Sequence, residues 1–384
     1  MRLTVYLGIY NGERYIENLF DQIRSQENQN FEILVVDNNS TDGSGKMFTA
    51  WEKYYKKNFR YVRNNLNYGG HGSLYRNLHR IKTPWFCTLH QDDFYKPNHI
   101  STLLEIISCS KKDVIGVSTT MGSMSNEGKI LNSKPRSSWF SKELDSSGQF
   151  LQNLRAQSVP FPASAFRLET FKKTQVPFHN PTFSDTEQTL NMLAYGRFTV
   201  SQEETMYYRE NSLSESHSLN SKEIIIGAGV SLTRVLNSTN FKIVLKGVEK
   251  NRRELFAREL VKSLELRLPQ SDLLTTLQIS ALEAMLEVWG YEQKKVAEVL
   301  IGKYEKFASK QTIEVISKIS RNKIKKIVKI HKNIKNKTTL SHSIWEWYFH
   351  LNLGYFRKYN KLFIKFIYKF VFVIKPNHRM KTKW

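Results

Sequence analysis

From its amino terminus the chain alternates short apolar runs with amphipathic stretches. Leu3-Thr4-Val5-Tyr6-Leu7-Gly8-Ile9-Tyr10 is an almost unbroken apolar run of strand length, closed by Asn11-Gly12. Glu13 to Arg24 then spaces Tyr15, Ile16, Leu19, Phe20 and Ile23 along one side of a helix. Phe31 to Val36 reads as a second strand, ended by the polar segment Asp37 to Ser44. Met47, Phe48, Trp51 and Tyr55 mark a second helix, Phe59 to Val62 a third strand, Asn64 to Gly72 a Gly/Asn loop, and Leu74 to Ile81 a third helix. Trp85 to Leu89 is a fourth strand that runs into His90-Gln91-Asp92-Asp93. Four such alternations predict an α/β fold, with a parallel sheet covered by helices on both faces. Ligands of such sheets sit at the carboxyl ends of the strands, where the polar clusters at Asn11, Asp37 and Asp92 all fall.

Downstream the pattern loosens. Residues 120–150 are rich in Ser, Gly, Asn and Lys and read as a long loop over or beside the site. Residues 160–220 form another mixed stretch that contains Asp185. After 221 the spacing turns helical, over Leu255 to Leu268, Leu273 to Val288, Lys294 to Phe307 and Ile313 to His331, with Pro269 parting the first two. The expected organisation is an α/β domain over 1–220, a helical domain over 221–335 and a basic aromatic tail over 336–384.

Composition adds a strong asymmetry. The 384 residues carry a net charge of +23, and 40% are hydrophobic, enough for a real core. Residues 1–220 hold 25 Lys and Arg against 22 Asp and Glu, whereas residues 318–384 hold 18 basic residues against Glu346 alone. A field of that sign suits a membrane surface, nucleic acid or a phosphorylated substrate. The two cysteines, Cys87 and Cys109, lack metal-type spacing and make no disulfide scaffold. The start of the chain runs straight into a strand without a signal-peptide pattern, and no apolar run reaches about 18 residues. The reading is a cytoplasmic protein.

Several clusters can carry chemistry. Asp92 and Asp93 are adjacent carboxylates at a strand end, and buried like charges repel unless a proton or a cation intervenes. A hard divalent cation that also holds phosphate oxygens resolves this, while capping of the next helix is the competing use. Asp37 at a strand tip can accept bonds from a base or ribose, whereas Ser40, Thr41 and Asp42 are ordinary N-cap residues. Asn67-Tyr68-Gly69-Gly70-His71-Gly72 lets backbone approach a ligand or is a surface turn, and it has no phosphate-loop spacing. Ser184 with Glu187 has capping-box spacing, and Asp185 is either a first-turn acid favoured by the helix dipole or a general base. Arg209 can sit near phosphate at the head of a hydrophilic loop.

The order of these clusters closely resembles the inverting family-2 nucleotide-sugar glycosyltransferases. The residues that carry it are Tyr10-Asn11-Gly12-Glu13, Val35 to Gly43, Asn67-Tyr68-Gly69-Gly70 with Arg76-Asn77, and Leu89 to Pro97. It covers residues 1–217 and is strongest over the first 100. The resemblance implies a GT-A fold, Rossmann-like and mostly parallel, followed here by the helical basic region. It implies that Tyr10, Asn11, Glu13 and Asp37 hold the nucleoside, with Asn67, Gly70 and Arg76 also on the donor. Asp92 and Asp93 would bind Mn²⁺ or Mg²⁺ and the donor diphosphate, Asp185 would be the catalytic base, and the stretch from Arg209 to Ser214 would close over the diphosphate. His90 stands where many members have Asp. It is either a replacement donor or metal ligand, or a structural residue. The implied donor is a UDP-, dTDP- or GDP-linked sugar, and the implied acceptor a glycan or lipid-linked glycan of a cell-surface polysaccharide such as O-antigen or capsule.

Lys361, Lys365 and Lys369 form a basic stripe on an otherwise apolar helical pattern that ends at Lys375. With Trp345, Trp347 and Tyr348 upstream, the tail fits an in-plane helix on anionic lipid at the inner face of the membrane, or a helix packed on its own domain. A second class of function stays open. In it, a GT-A-shaped binding protein without turnover tethers an assembly or nucleic acid through the tail. Few Arg and many bulky apolar residues favour lipid over nucleic acid.

Overall fold

The computed structural model describes residues 3–136, 144–156, 159–176, 183–210, 221–267 and 272–290. All of them belong to one compact unit. The first four strands form as the apolar runs predict: β1 (Leu3–Ile9), β2 (Glu32–Asp37), β3 (Phe59–Arg63) and β4 (Trp85–His90). They lie side by side in the order β3-β2-β1-β4, every pair parallel. The order reverses direction between β1 and β4, which opens a crevice at their carboxyl ends.

Helices α1 (Glu13–Arg24), α2 (Ser44–Tyr55) and α3 (Gly69–Asn77) link these strands. Period-two alternation assigns the faces. Val5, Leu7 and Ile9 of β1 join Ile33 and Val35 of β2 in one core, against Ile16, Leu19 and Ile23 of α1 and Phe48 and Trp51 of α2. Tyr6, Leu34 and Val36 point the other way, into a second core with Leu74 of α3. α3 begins at Gly69 rather than at Leu74, inside the expected loop. Gly69 takes the left-handed φ of 71° that an entering turn needs.

Beyond residue 90 the sheet becomes mixed. The further elements are β5 (Phe94–Tyr95), α4 (His99–Cys109), β6 (Val114–Met124), β7 (Ile130–Arg136), α5 (Ser146–Ala156), β8 (Ser164–Arg167), α6 (Leu168–Lys173), α7 (Ser184–Met192) and β9 (Arg197–Arg209). β4 continues into β8, β6, β9 and β5. β8 is antiparallel to β4 and β6, β9 parallel to β6, and β5 antiparallel to β9. The loop expected over 120–150 is corrected here. The end of β6, all of β7 and α5 occupy much of it, and residues 137–143 lie outside the described residues. Composition hid β6 because its polar side chains are buried with partners inside the sheet. Thr119 Oγ1 lies 2.7 Å from Thr205 Oγ1, and Thr120 donates to the Gln202 carbonyl at 3.2 Å.

Four helices follow: α8 (Ser221–Asn237), α9 (Thr239–Gly247), α10 (Arg253–Arg267) and α11 (Asp272–Trp289). The last two match the spacing read over Leu255–Leu268 and Leu273–Val288. The helices expected over Lys294–Phe307 and Ile313–His331, and the tail, lie outside the described residues. Leu236, Phe241, Leu260 and Met285 from these helices share a core with Phe150 of α5, Leu190 of α7 and the sheet. The expected boundary at 220 therefore falls inside a continuous core. No helix among the described residues is long and apolar enough to cross a membrane.

Candidate active site

Three loops meet at the carboxyl ends of β1, β2 and β4, and they hold one another. Tyr10 N–H donates to Gln91 Oε1 at 3.1 Å, and Gln91 Nε2 donates back to the Tyr10 carbonyl at 3.2 Å. Asn11, at a positive φ of 46°, accepts the Thr41 N–H on Oδ1 at 2.8 Å. Its own N–H reaches Ser40 Oγ at 3.0 Å. Glu13 and Asp42 cap across the two helix starts. Glu13 N–H donates to Asp42 Oδ2 at 3.1 Å, and Gly43 N–H to Glu13 Oε2 at 2.9 Å. The capping expected of Asp42 is present, and it serves α1 as well as α2. Tyr10 is 44% exposed at the rim.

Asp37 ends β2 fully buried. Oδ1 accepts the Ser40 N–H at 2.7 Å, while Oδ2 accepts Tyr61 Oη at 2.8 Å and Arg63 Nη1 at 2.9 Å. It is fully buried and takes three donors from the chain itself, so in this structure Asp37 shapes the cleft floor. Asn38, also buried, ties in the next loop. Its Nδ2 donates to Asn67 Oδ1 at 2.6 Å, and its Oδ1 accepts Asn64 Nδ2 at 3.0 Å and the Tyr68 N–H at 3.1 Å. Gly70 has open space where a Cβ would stand. Arg76 is exposed, with its guanidinium 3.9 Å from the centre of the Tyr68 ring.

The acidic turn follows β4. Asp93 is 3% exposed. Its Oδ1 accepts the Arg209 N–H at 2.9 Å, while Oδ2 is buried without a hydrogen-bond partner, 3.5 Å from His90 Nδ1. Burial, and then the charge of Asp92, hold its carboxyl well above the usual carboxylate range, against the pull of Arg209. Asp92 is partly exposed beside it. His90 is 43% exposed, and its N–H donates to Tyr95 Oη at 2.7 Å. Arg209, expected at phosphate, is buried under this turn. Nε donates to the Asp92 carbonyl at 2.6 Å and Nη1 to the Asn126 carbonyl at 2.8 Å, so it braces the turn.

Asp185 belongs to a second group, built from α3, α7, α8 and α10. It sits in the first turn of α7, partly buried, with Oδ1 accepting the Thr186 N–H at 2.7 Å. Its charge reaches Tyr75 and Arg267. α3 spans the two groups. His71 at its start feels His90, and Tyr75 one turn on feels Asp185. Burial, then His90, lowers His71 to about 4, so its ring is neutral at pH 7. The capping box expected from Ser184 and Glu187 does not form. Phe183 takes the cap position without a side-chain bond, and Glu187 pairs with Arg234.

Gln91, Tyr61 and Arg63 complete the site and were not among the sequence candidates, because the bonds that place them span 24 to 81 residues. A depression of about 460 Å³ lined by Asn18, Asp21, Gln22 and Phe94, among others, contains none of the candidate residues.

Among the described residues no three His, Cys, Asp or Glu side chains form a ready cation cage. The donors nevertheless fit a hard divalent ion. One carboxylate oxygen is buried without a bond, a second carboxylate is partly exposed beside it, and such ions take most of their shell from water and phosphate.

Residues 4–174 match the family described as Glycosyl transferase family 2. A teichoic acid poly(glycerol phosphate) polymerase of Staphylococcus epidermidis is 33% identical over 104 residues, 27% of this chain and 14% of the relative. Glycosyltransferase GlyG of Streptococcus pneumoniae is 28% identical over 196 residues, 49% of this chain and 64% of the relative. The chain thus spans less than two thirds of either relative. Among solved structures, TarS 1-349 of S. aureus in complex with UDP-GlcNAc has a TM-score of 0.49 at 14% identity, covering 80% of this chain and 92% of that one. With its four parallel first strands and acidic turn, the segment 4–174 is a glycosyl transferase family 2 domain.

Proposed function

We propose that the chain transfers a sugar from a nucleotide-diphosphate donor to an acceptor hydroxyl in one inverting displacement. The observation that carries this reading is the acidic turn at the β1/β4 crevice, where Asp93 keeps a buried oxygen without a donor. The nucleoside lies against Tyr10, Asn11 and the Asn67 to Gly70 backbone, with Asp37, Asn38 and Glu13 holding those loops and Arg76 at their edge. Asp185 takes the acceptor proton as the acceptor oxygen bonds to the anomeric carbon. The bond from that carbon to the diphosphate oxygen breaks, and the electron pair leaves with the diphosphate. Held by Asp92 with Asp93 and His90 beside it, Mn²⁺ or Mg²⁺ would neutralise charge on that leaving group. A single displacement inverts the anomeric centre.

The relative named for teichoic acid polymerisation supports a cell-surface glycan, lipid-linked or free, as acceptor. The basic aromatic tail supports docking on the inner face of an anionic membrane. Calorimetry with UDP and GDP, with and without Mn²⁺, tests the site. Tighter nucleotide binding with Mn²⁺, lost in Asp92→Ala, is expected, together with a turnover loss of about 10²–10³-fold. Equal binding and turnover in Asp92→Ala would refute it.

A further inference from the structure

We propose that Arg234 of α8 is a positioning residue for sugar transfer, fixing through Glu187 the helical turn that presents Asp185. The proposal rests on Asp185 being the base.

Glu187 is 2% exposed, and Arg234 grips both its oxygens, with Nε donating to Oε1 at 2.7 Å and Nη2 to Oε2. Such bidentate pairs fix direction as well as distance. The two residues are 47 apart in sequence, and Arg234 lies beyond the residues that match the family. Local bonds hold the shape of the turn itself, with Asp185 Oδ1 accepting the Thr186 N–H at 2.7 Å. Bonds from α5 and α8 tie that turn to the rest of the fold. The Asp185 carbonyl accepts Thr189 Oγ1 at 2.9 Å, which accepts Asn153 Nδ2 from α5 at 2.7 Å, and Arg234 holds the other side. Tyr75 senses Glu187, Asp185 and Arg234 together, so the pair and the candidate base share one electrostatic environment. A buried ion pair adds little stability over an apolar pair of equal volume, whereas it does enforce one orientation. A base displaced by about 1 Å loses on the order of 10²-fold in rate.

The test uses the full chain. Turnover of UDP-glucose, UDP-N-acetylglucosamine and GDP-mannose with Mn²⁺ is measured beside UDP calorimetry, thermal unfolding and amide hydrogen exchange. Arg234→Met is expected to lower kcat by about 10–100-fold with KM and UDP affinity within about twofold. Arg234→Lys should recover part of the loss. In an Asp185→Asn background Arg234→Met should cost less than about twofold more, because both changes act on one proton transfer. Exchange at Thr186 to Thr189 should rise while that of β1 stays unchanged. If Arg234→Met does not fold, Glu187→Gln takes its place with the same expectations. Retained kcat in a folded variant, losses that multiply with Asp185→Asn, or unchanged α7 exchange would each overturn the proposal. Absence of turnover by the wild-type chain on every donor would instead remove the transferase reading.

Discussion

Asp93 places a carboxylate where burial, and then the charge of Asp92, disfavours ionisation. Its carboxyl is held above the ordinary range in the fold, so the native chain binds that proton more tightly than the unfolded chain. Stability is therefore greatest where Asp93 is protonated, and it falls as pH rises from the ordinary carboxylate range through the raised value. Asp93→Asn keeps an acceptor for the Arg209 N–H and removes the buried charge. The variant is expected to gain about 1–2 kcal/mol at pH 7 in urea unfolding, to lose that pH slope, and to lose turnover. Asp37 is a buried carboxylate with three donors from the chain. Asp37→Ala leaves the Ser40 N–H without its acceptor and is expected to cost about 2–4 kcal/mol by the same measurement.

At the scale of elements, the starts of α1 and α2 form one unit. Besides the Glu13 and Asp42 bonds, the Gly12 N–H donates to Ser44 Oγ at 3.0 Å. Ser44→Ala is expected to cost about 1 kcal/mol in stability and to weaken UDP binding as the Tyr10–Gly12 loop loosens. Gly12 is constrained from the other side, since a Cβ there would stand 2.5 Å from Gln91 Oε1. Gly12→Ala is expected to displace Gln91, break its bonds to Tyr10 and weaken UDP binding with only a small change in melting temperature, because the obstacle is the end of a flexible side chain.

At the scale of the whole molecule, one core joins the family 2 domain to α8–α11. Ending the chain at residue 220 would bare Phe150, Leu154, Leu190 and Leu193, each nearly fully buried and each worth about 1.5–3 kcal/mol. Such a chain is expected to aggregate or to lose cooperative unfolding in circular dichroism. The tail is a separate matter. A chain ending at residue 335 is expected to keep turnover on soluble acceptors and to lose co-sedimentation with anionic vesicles at low salt.

The strand–helix alternation of the first 90 residues was legible in the sequence, because each buried strand is an unbroken apolar run and each helix shows one apolar face. That the polar ends of those strands meet at one edge of the sheet was legible for the same reason. Chain order puts Asn11, Asp37 and Asp92 after strands of a parallel sheet, and parallel strands end on one side. The sequence misled where polar residues are buried with distant partners. β6 looked like a loop because its hydroxyls bond within the sheet, and Glu187 looked like a cap because local spacing says nothing of Arg234. What Arg209 touches, which donors surround Asp37, and that the later helices share the sheet's core were decided by tertiary packing alone. Each depends on contacts between residues dozens of positions apart, which no local pattern records.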